Sequence, residues 1–292
     1  MEKALIASGF NYQEAFSRNL GWVTEAEQAL LSQKCVAIAG MGGVGGGHLL
    51  TLARLGVGRF RISDFDQFEL ANFNRQAGAS VSHLNRDKVD VLAEMVLDIN
   101  PSLDLEKYPE GVNESNLDRF LEGVDLYVDS LDFFALDARK AIFAACARKG
   151  IPAITAAPLG MGVAFLYFMP GRMTFEQYFR LEGQPEQEQL VRFLMGLSPA
   201  MLQIPYLVDT SRVDFARQKG PSTIMACELC AGMAATQALK ILLERGEVDC
   251  APRGIHFDAY RNKLKTTWRP WGNNNPLQRL GIRIARKRVF KK

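Results

Sequence analysis

The chain alternates short apolar runs with longer segments whose apolar residues recur every three or four positions, a rhythm that predicts strands and helices in turn. CVAIAG, from Cys35, is an apolar run halted by a glycine cluster, as a buried parallel strand is where it enters a phosphate loop. Leu49, Leu50, Leu52, Ala53 and Leu55 give one apolar face to a helix from His48 to Leu55, ended by Gly56 and Gly58. RFRISDFD then reads as a second strand with two carboxylates at its C-terminal end. Lys88 to Ile99 is helical and stops at Asn100 and Pro101; Leu103 to Tyr108 is a third strand. A helix near Asn116 to Leu121 leads to a fourth strand in DLYVDSLD, then a helix from Asp137 to Lys149 leads to a strand in PAITAAP.

Strand and helix in regular succession predict an α/β, Rossmann-like doubly wound fold, its sheet mostly parallel and its ligands at the carboxyl edge. Past Pro170 the rhythm breaks. Met173 to Lys219 is rich in Glu, Gln, Phe and Pro and reads as a helical insertion or lid; a helix follows from Cys227 to Leu243, then a strand pair in GIHFDAY and KLKTTW. The expected organisation is an N-terminal helical extension (1–34), a nucleotide-binding core (35–170), an insertion with late helix and strands completing the same domain (171–270), and a basic tail (271–292).

Composition supports a large core: of 292 residues 48% are hydrophobic and 23% charged. The N-terminus lacks the pattern of an export signal and no stretch reaches the apolar length needed to cross a bilayer, so the cytosol is the expected compartment. Cys35, Cys146, Cys227, Cys230 and Cys250 are too few and too irregular for a disulfide framework. The net charge of +3 is concentrated after Pro276, where Arg279, Arg283, Arg286, Lys287, Arg288, Lys291 and Lys292 occur without an acid. A solvated tail is the reading this favours, with an anionic membrane surface, nucleic acid or an acidic partner as what it could touch.

In GMGGVGG the glycines at 40, 42 and 45 match G-x-G-x-x-G, and Asp64 and Asp66 lie about 20 residues on, where a ribose-binding carboxylate is expected. That loop would serve NAD, FAD or ATP equally. Asn72, Arg75, Gln76 and Lys88 narrow the choice, because a triphosphate needs cations near its oxygens and a dinucleotide oxidoreductase has no general need of them there.

These residues resemble the ThiF/MoeB/HesA family, to which the adenylation domains of ubiquitin-activating enzymes also belong. The family pattern G-x-G-G-x-G, D-x-D, N-x-x-R-Q, a lysine on the next helix and an aspartate after the fourth strand is matched by Gly40, Gly42, Gly43 and Gly45, by Asp64 and Asp66, by Asn72, Arg75 and Gln76, by Lys88 and by Asp132. The resemblance runs from about Phe16 to Pro170 and resumes at the late helix. It implies an ATP-dependent adenylyltransferase that activates a carboxylate, on a peptide, a ubiquitin-like protein C-terminus or a small acid, as an acyl-adenylate with release of pyrophosphate. Arg75 and Lys88 would meet the phosphates, Asp132 a magnesium ion, Asp64 or Asp66 the ribose, and Asn72 and Gln76 the same nucleotide shell.

The family's upstream arginine, which reaches the partner subunit's site in a homodimer, falls on Arg18 in AFSRN; an ordinary surface residue is the alternative. Many relatives hold zinc with two CxxC pairs, and this chain has only Cys227 and Cys230, so no structural zinc is expected. Residues 173–220 contain no cysteine for covalent transfer. A tRNA-modifying dehydratase of the same family, an NAD- or FAD-dependent oxidoreductase, and an inactive nucleotide-binding partner subunit remain as alternatives.

Overall fold

A computed structural model describes residues 9–213, 217 and 220–289 of the chain. Lys291, Lys292 and the side chain of Arg288 in the basic segment, and residues 214–216, 218 and 219 of the insertion, lie outside the described residues.

Among the described residues two short helices, α1 (Tyr12–Ala15) and α2 (Glu25–Leu31), precede the first strand. Eight strands follow: β1 (Cys35–Ala39), β2 (Arg59–Ser63), β3 (Asp104–Tyr108), β4 (Leu126–Asp129), β5 (Ala153–Leu159), β6 (Gly162–Phe168), β7 (Arg253–Asp258) and β8 (Lys263–Trp268). They form one sheet in the order β3-β2-β1-β4-β5-β6-β7-β8. The pairings from β3 through β5 are parallel, those from β5 through β8 antiparallel. The chain reverses direction across the sheet between β1 and β4, the place where doubly wound sheets open a crevice at their carboxyl edge.

Helices α3 (Gly45–Leu55), α4 (Lys88–Ile99) and α9 (Ile224–Leu242) cover one face of the sheet, while α5 (Leu117–Phe120), α6 (Leu136–Lys149), α7 (Phe175–Phe179) and α8 (Glu186–Leu197) cover the other. Strand β1 shows why its whole run is apolar: Val36 and Ile38 enter the core under α3, while Cys35, Ala37 and Ala39 enter the core under α6. Leu49 and Leu52 of α3 are fully buried against that sheet, so truncation of either to alanine would cost about 2–5 kcal/mol.

Strand β6 is an element the sequence rhythm hid. GVAFLYF is wholly buried and returns antiparallel from β5 through a turn at Gly160, whose φ is +63°. The insertion after it divides in two. Helices α7 and α8 pack Phe175, Tyr178, Phe179, Leu190 and Phe193 into the lower core, whereas residues 198–213 run as turns above the β5–β6 connection. Tyr206 fastens that stretch there, donating to Asp258 Oδ2 at 2.6 Å and accepting from the Met161 N–H at 2.8 Å.

The segment expected as a solvated basic tail is instead a helix, α10 (Pro276–Val289), docked on α8. Its charge density suggested solvation, but Gln278 and Ile282 recur four residues apart and give it one face to bury. Likewise α9, at 19 residues, is long and apolar enough by length and composition to cross a membrane, contrary to the sequence expectation. Here it lies on the sheet, burying Cys230, Ala231, Ala234 and Ala238 against α3, β5 and β6.

Candidate functional site

The carboxyl ends of β1, β2 and β4 converge on the glycine loop. Gly40 leaves β1 with φ +92°, and a Cβ there would strike the Ser130 carbonyl beyond β4; a Cβ on Gly45, the first residue of α3, would strike the carbonyl of Gly40 itself. These two glycines let the backbone fold over itself. Gly42 and Gly43 have a different use, because a Cβ on Gly42 would come no nearer than 3.7 Å to Gln76 Nε2, and one on Gly43 would lie 3.5 Å from Arg75 Nε and 3.3 Å from Cys227 Sγ. Bare backbone is thus presented in a recess rimmed by Gln76, Arg75 and Cys227. No side chain among the described residues caps the N-terminus of α3, so the helix dipole there remains to attract an anion, although the N–H groups of Gly46 and His48 already donate to the Gly42 and Val44 carbonyls at 3.5 and 2.8 Å.

Asp64 fastens this loop to the end of β2: Oδ2 accepts from the Met41 N–H at 2.6 Å and Oδ1 from the Asp66 N–H at 2.8 Å. Burial raises its pKa above the ordinary carboxylate value, and the two N–H bonds pull it part of the way back. Lys88 opens α4 and is only 5% exposed; its Nζ lies 2.8 Å from Asp66 Oδ2, and its backbone N–H donates to the Asp66 carbonyl at 3.0 Å. A nearly buried ammonium is thereby joined, through Asp66 and Asp64, to the loop segment at Met41.

Asn72 shapes the turn that carries its neighbours. Its Oδ1 accepts from the Glu69 N–H at 3.0 Å, and its carbonyl accepts from the N–H groups of Arg75 at 3.1 Å and Gln76 at 3.0 Å. Arg75 Nη1 donates to the Ala71 carbonyl at 3.0 Å and to Asn74 Oδ1 at 2.9 Å, which leaves Nε on the glycine loop. Gln76 is buried beside that loop, and among the described residues its Oε1 has no donor. A buried acceptor without a protein partner points to a ligand or a water at that position.

Asp132 stands exposed on the loop after β4, its Oδ1 accepting from the Phe134 N–H at 2.9 Å. The cap of α6 is Ala135, so Asp132 forms a local turn three residues ahead of the helix instead of capping it. Among the described residues no group of three or more His, Cys, Asp or Glu side chains could hold a metal ion. One exposed carboxylate still suits Mg2+, which is commonly held by one or two carboxylates together with substrate phosphates and water.

Arg18 is exposed on a 3-10 turn, Ser17–Asn19, in the N-terminal extension. That extension binds the far end of α3: Asn19 Nδ2 donates to the Leu55 carbonyl at 3.1 Å and Tyr12 Oη to the Gly56 carbonyl at 2.5 Å. An 11-residue helix is about 16 Å long, so within one chain Arg18 belongs to the end of α3 opposite the glycine loop.

Asp129 and Arg139 escaped the sequence reading. Asp129, the last residue of β4, pairs with Arg139 of α6 at 2.8 Å, both side chains almost fully buried. Arg139 also donates from Nη2 to the Leu131 carbonyl at 2.7 Å and from Nη1 to the Asp132 carbonyl at 3.1 Å, so one guanidinium braces the loop bearing Asp132. His48 Nδ1 lies 3.0 Å from Ser130 Oγ beneath the glycine loop, and complete burial pushes its pKa down to about 4. Cys227 and Cys230 sit within the first turns of α9, buried; burial raises both thiols, and a bond to Ser222 and the nearby Arg75 partly offset this for Cys227. The signals were present as the second acid of DLYVDSLD and the arginine of LDARK, but no local rule links them.

A sequence profile of the ThiF family matches residues 16–279, which spans the glycine loop, the sheet and the first turn of α10. The chain belongs to the ThiF family. It is 31% identical over 141 residues to a tRNA threonylcarbamoyladenosine dehydratase of Bacillus subtilis (strain 168), a match covering 48% of this chain and 55% of that protein. It is 34% identical over 134 residues to the adenylyltransferase and sulfurtransferase MOCS3 of Arabidopsis thaliana, covering 46% of this chain and 28% of that one. These matches therefore span about half or less of the relatives' own length.

Among solved structures, E. coli MccB with ATP superposes with a TM-score of 0.63 at 20% identity, covering 87% of this chain and 70% of the other. E. coli tRNA N6-threonylcarbamoyladenosine dehydratase superposes with a TM-score of 0.59 at 20% identity, covering 80% and 95%. At such identity the likeness shows the fold, a ThiF-type α/β sheet. Membership of the ThiF family supports ATP-dependent adenylation of a carboxylate as the class of chemistry.

Proposed function

We propose that this ThiF-family protein binds Mg-ATP at the glycine loop and transfers its adenylyl group to a carboxylate. The observation that carries the reading is that Arg75 and Gln76, whose Oε1 has no partner among the described residues, lie against the glycine loop at an uncapped helix N-terminus, while the nearly buried ammonium of Lys88 pairs with Asp66 on the turn that Asp64 ties to the same loop. Two cations and a helix N-terminus suit a polyphosphate, while a lone buried acceptor suits a hydroxyl or amino donor on the nucleoside.

In the reaction a carboxylate oxygen bonds to the α-phosphorus as the bond to the departing pyrophosphate breaks. A carboxylate is ionised at neutral pH, so no general base is required. The protein's task is alignment and charge neutralisation. Arg75 and Lys88 would meet the phosphate oxygens, with Lys88 exchanging Asp66 for them; Asp64 holds the loop closed from beneath and Asp66 becomes available to the ribose. Mg2+ on Asp132 would supply further neutralisation of the phosphates, and Arg139 keeps that loop in place.

Homodimerisation belongs to the same proposal. An open apolar groove of about 680 Å3 runs between α9 and the outer strands, lined by Val163, Ile224, Met225, Leu229, Met233 and Phe257. A second copy covering it would keep these side chains from water. Arg18, remote from the glycine loop of its own chain, would then be free to serve its partner's.

A second reading keeps this first step and changes the carboxylate to one on a modified tRNA nucleoside; the relative in Bacillus subtilis favours it. Isotope exchange between ATP and pyrophosphate, run against carboxyl-terminal peptides, small acids and modified tRNA, tests both. Exchange dependent on one of these supports adenylation and names the class; absence of exchange with all of them, in a protein that binds Mg-ATP, would count against it.

A further inference from the structure

From the exposed side of α10 we infer a docking face for an anionic bilayer surface. The helix has three distinct sides. The inner one is satisfied: Ile282 packs on Val191 and Met195, Gln278 Nε2 donates to the Met195 carbonyl at 2.5 Å, and Arg286 reaches Glu188 from Nε at 2.8 Å and Nη2 at 2.7 Å. Opposite it, Leu277, Leu280 and Ile284 are 67%, 53% and 46% exposed. Spacings of three and four residues put them on a single outward stripe. Beside that stripe Arg279, Arg283 and Lys287 recur at every fourth position, all exposed, and the sequence from Pro276 onward contains no acid.

Isolated exposed leucines call for no explanation. A row of three flanked by a row of cations, on a helix already anchored by its other side, has the composition of an interfacial helix that lies in the headgroup layer. Charge complementarity selects the occupant: the cations match anionic lipid headgroups, and the stripe reaches the acyl boundary that a headgroup layer overlies. Nucleic acid would satisfy the arginines but leave Leu277, Leu280 and Ile284 in water, and no exposed aromatic ring on this helix offers a stacking platform. The inference does not depend on the adenylation reading, because nothing in it touches the glycine loop.

The test is co-sedimentation of the full chain with vesicles of mixed phosphatidylserine and phosphatidylcholine, against pure phosphatidylcholine vesicles and against tRNA. Wild type should bind the mixed vesicles only. The double variant Leu280→Ser/Ile284→Ser, which leaves every charge in place, and Arg279→Gln/Arg283→Gln/Lys287→Gln, which leaves the stripe, should each bind at least about tenfold more weakly. All substituted positions are exposed, so thermal unfolding and ATP–pyrophosphate exchange should be unchanged. Failure of wild type to bind vesicles, preference for tRNA, or full binding by the serine variant would each overturn the inference.

Discussion

Arg139 and Asp129 form a pair sealed under the candidate site, Nε to Oδ2 at 2.8 Å with side chains 3% and 1% exposed. The remaining N–H groups of the guanidinium hold the carbonyls of the loop that carries Asp132, and its plane lies 4.7 Å over the Phe193 ring of α8. Arg139→Met should therefore cost about 3–5 kcal/mol in urea unfolding, since it strands a buried carboxylate. Arg139→Met combined with Asp129→Leu should recover part of that loss, because no buried charge is then left alone. Equal destabilisation by the single and the double variant would show that the pair is not coupled.

Gly40 and Gly42 separate the structural from the binding use of the glycine loop. Gly40→Ala must place a Cβ against the Ser130 carbonyl at a left-handed φ, so it should lower the thermal midpoint sharply, with the backbone strain alone of order 1–3 kcal/mol. Gly42→Ala meets only Gln76 Nε2 at 3.7 Å and should fold like wild type. Its loss should appear in ligand binding, as at least about a tenfold weaker Kd for Mg-ATP, or 1.4 kcal/mol. Comparable Mg-ATP binding by Gly42→Ala and wild type would remove the bare backbone from the nucleotide site.

How much of this was legible in the sequence depended on the range of the interaction. Strand β1, helix α4 and the glycine loop were readable because periodicity and turn chemistry are local, and the matches at Arg75, Gln76 and Lys88 lie in order along the chain. Strand β6 was hidden because only Gly160 and Met161 join it to β5, so two apolar runs read as one strand and its aftermath. The Asp129–Arg139 pair joins two residues ten positions apart, and DLYVDSLD offers three acids without saying which is sealed inside. Helix α10 was misread because its burial depends on α8, some 80 residues earlier in the chain, whereas its charges are visible locally. The turn role of Asn72 likewise follows from a backbone conformation that composition does not report.

His48 gives the fold a dependence on pH. Burial holds its folded-state pKa near 4, below the ordinary 6.5, so between those values the unfolded chain binds more protons and stability rises with pH. The contribution is complete above about pH 6.5 and lost progressively on acidification, amounting to roughly 3 kcal/mol by pH 4. His256, also lowered by burial, acts in the same sense; Asp64, raised by burial, acts oppositely and nearer the carboxylate range. Urea unfolding of wild type and His48→Gln from pH 4 to 7 should give curves that converge as pH falls. Parallel curves across that window would show that His48 does not titrate as its burial requires.

Arg18 yields a test of the proposed homodimer. Arg18→Ala and Lys88→Ala should each lack ATP–pyrophosphate exchange alone while remaining folded, since Arg18 is exposed and the Asp66 carboxylate that Lys88 leaves behind reaches water. Mixing the two should restore part of the activity, because a mixed dimer contains one site with Lys88 from one chain and Arg18 from the other. An additional charge in the groove, Met225→Asp, should leave the protein monomeric and abolish that rescue. Full exchange by monomeric Met225→Asp would refute the shared site.

Titration calorimetry of Mg-ATP and of NAD into wild type and Lys88→Ala tests the triphosphate site most directly. Wild type should bind Mg-ATP and not NAD, and loss of one charge-assisted contact should weaken Mg-ATP about tenfold or more. Equal Mg-ATP affinity in both proteins, or tighter binding of NAD than of Mg-ATP, would contradict a triphosphate site at the glycine loop.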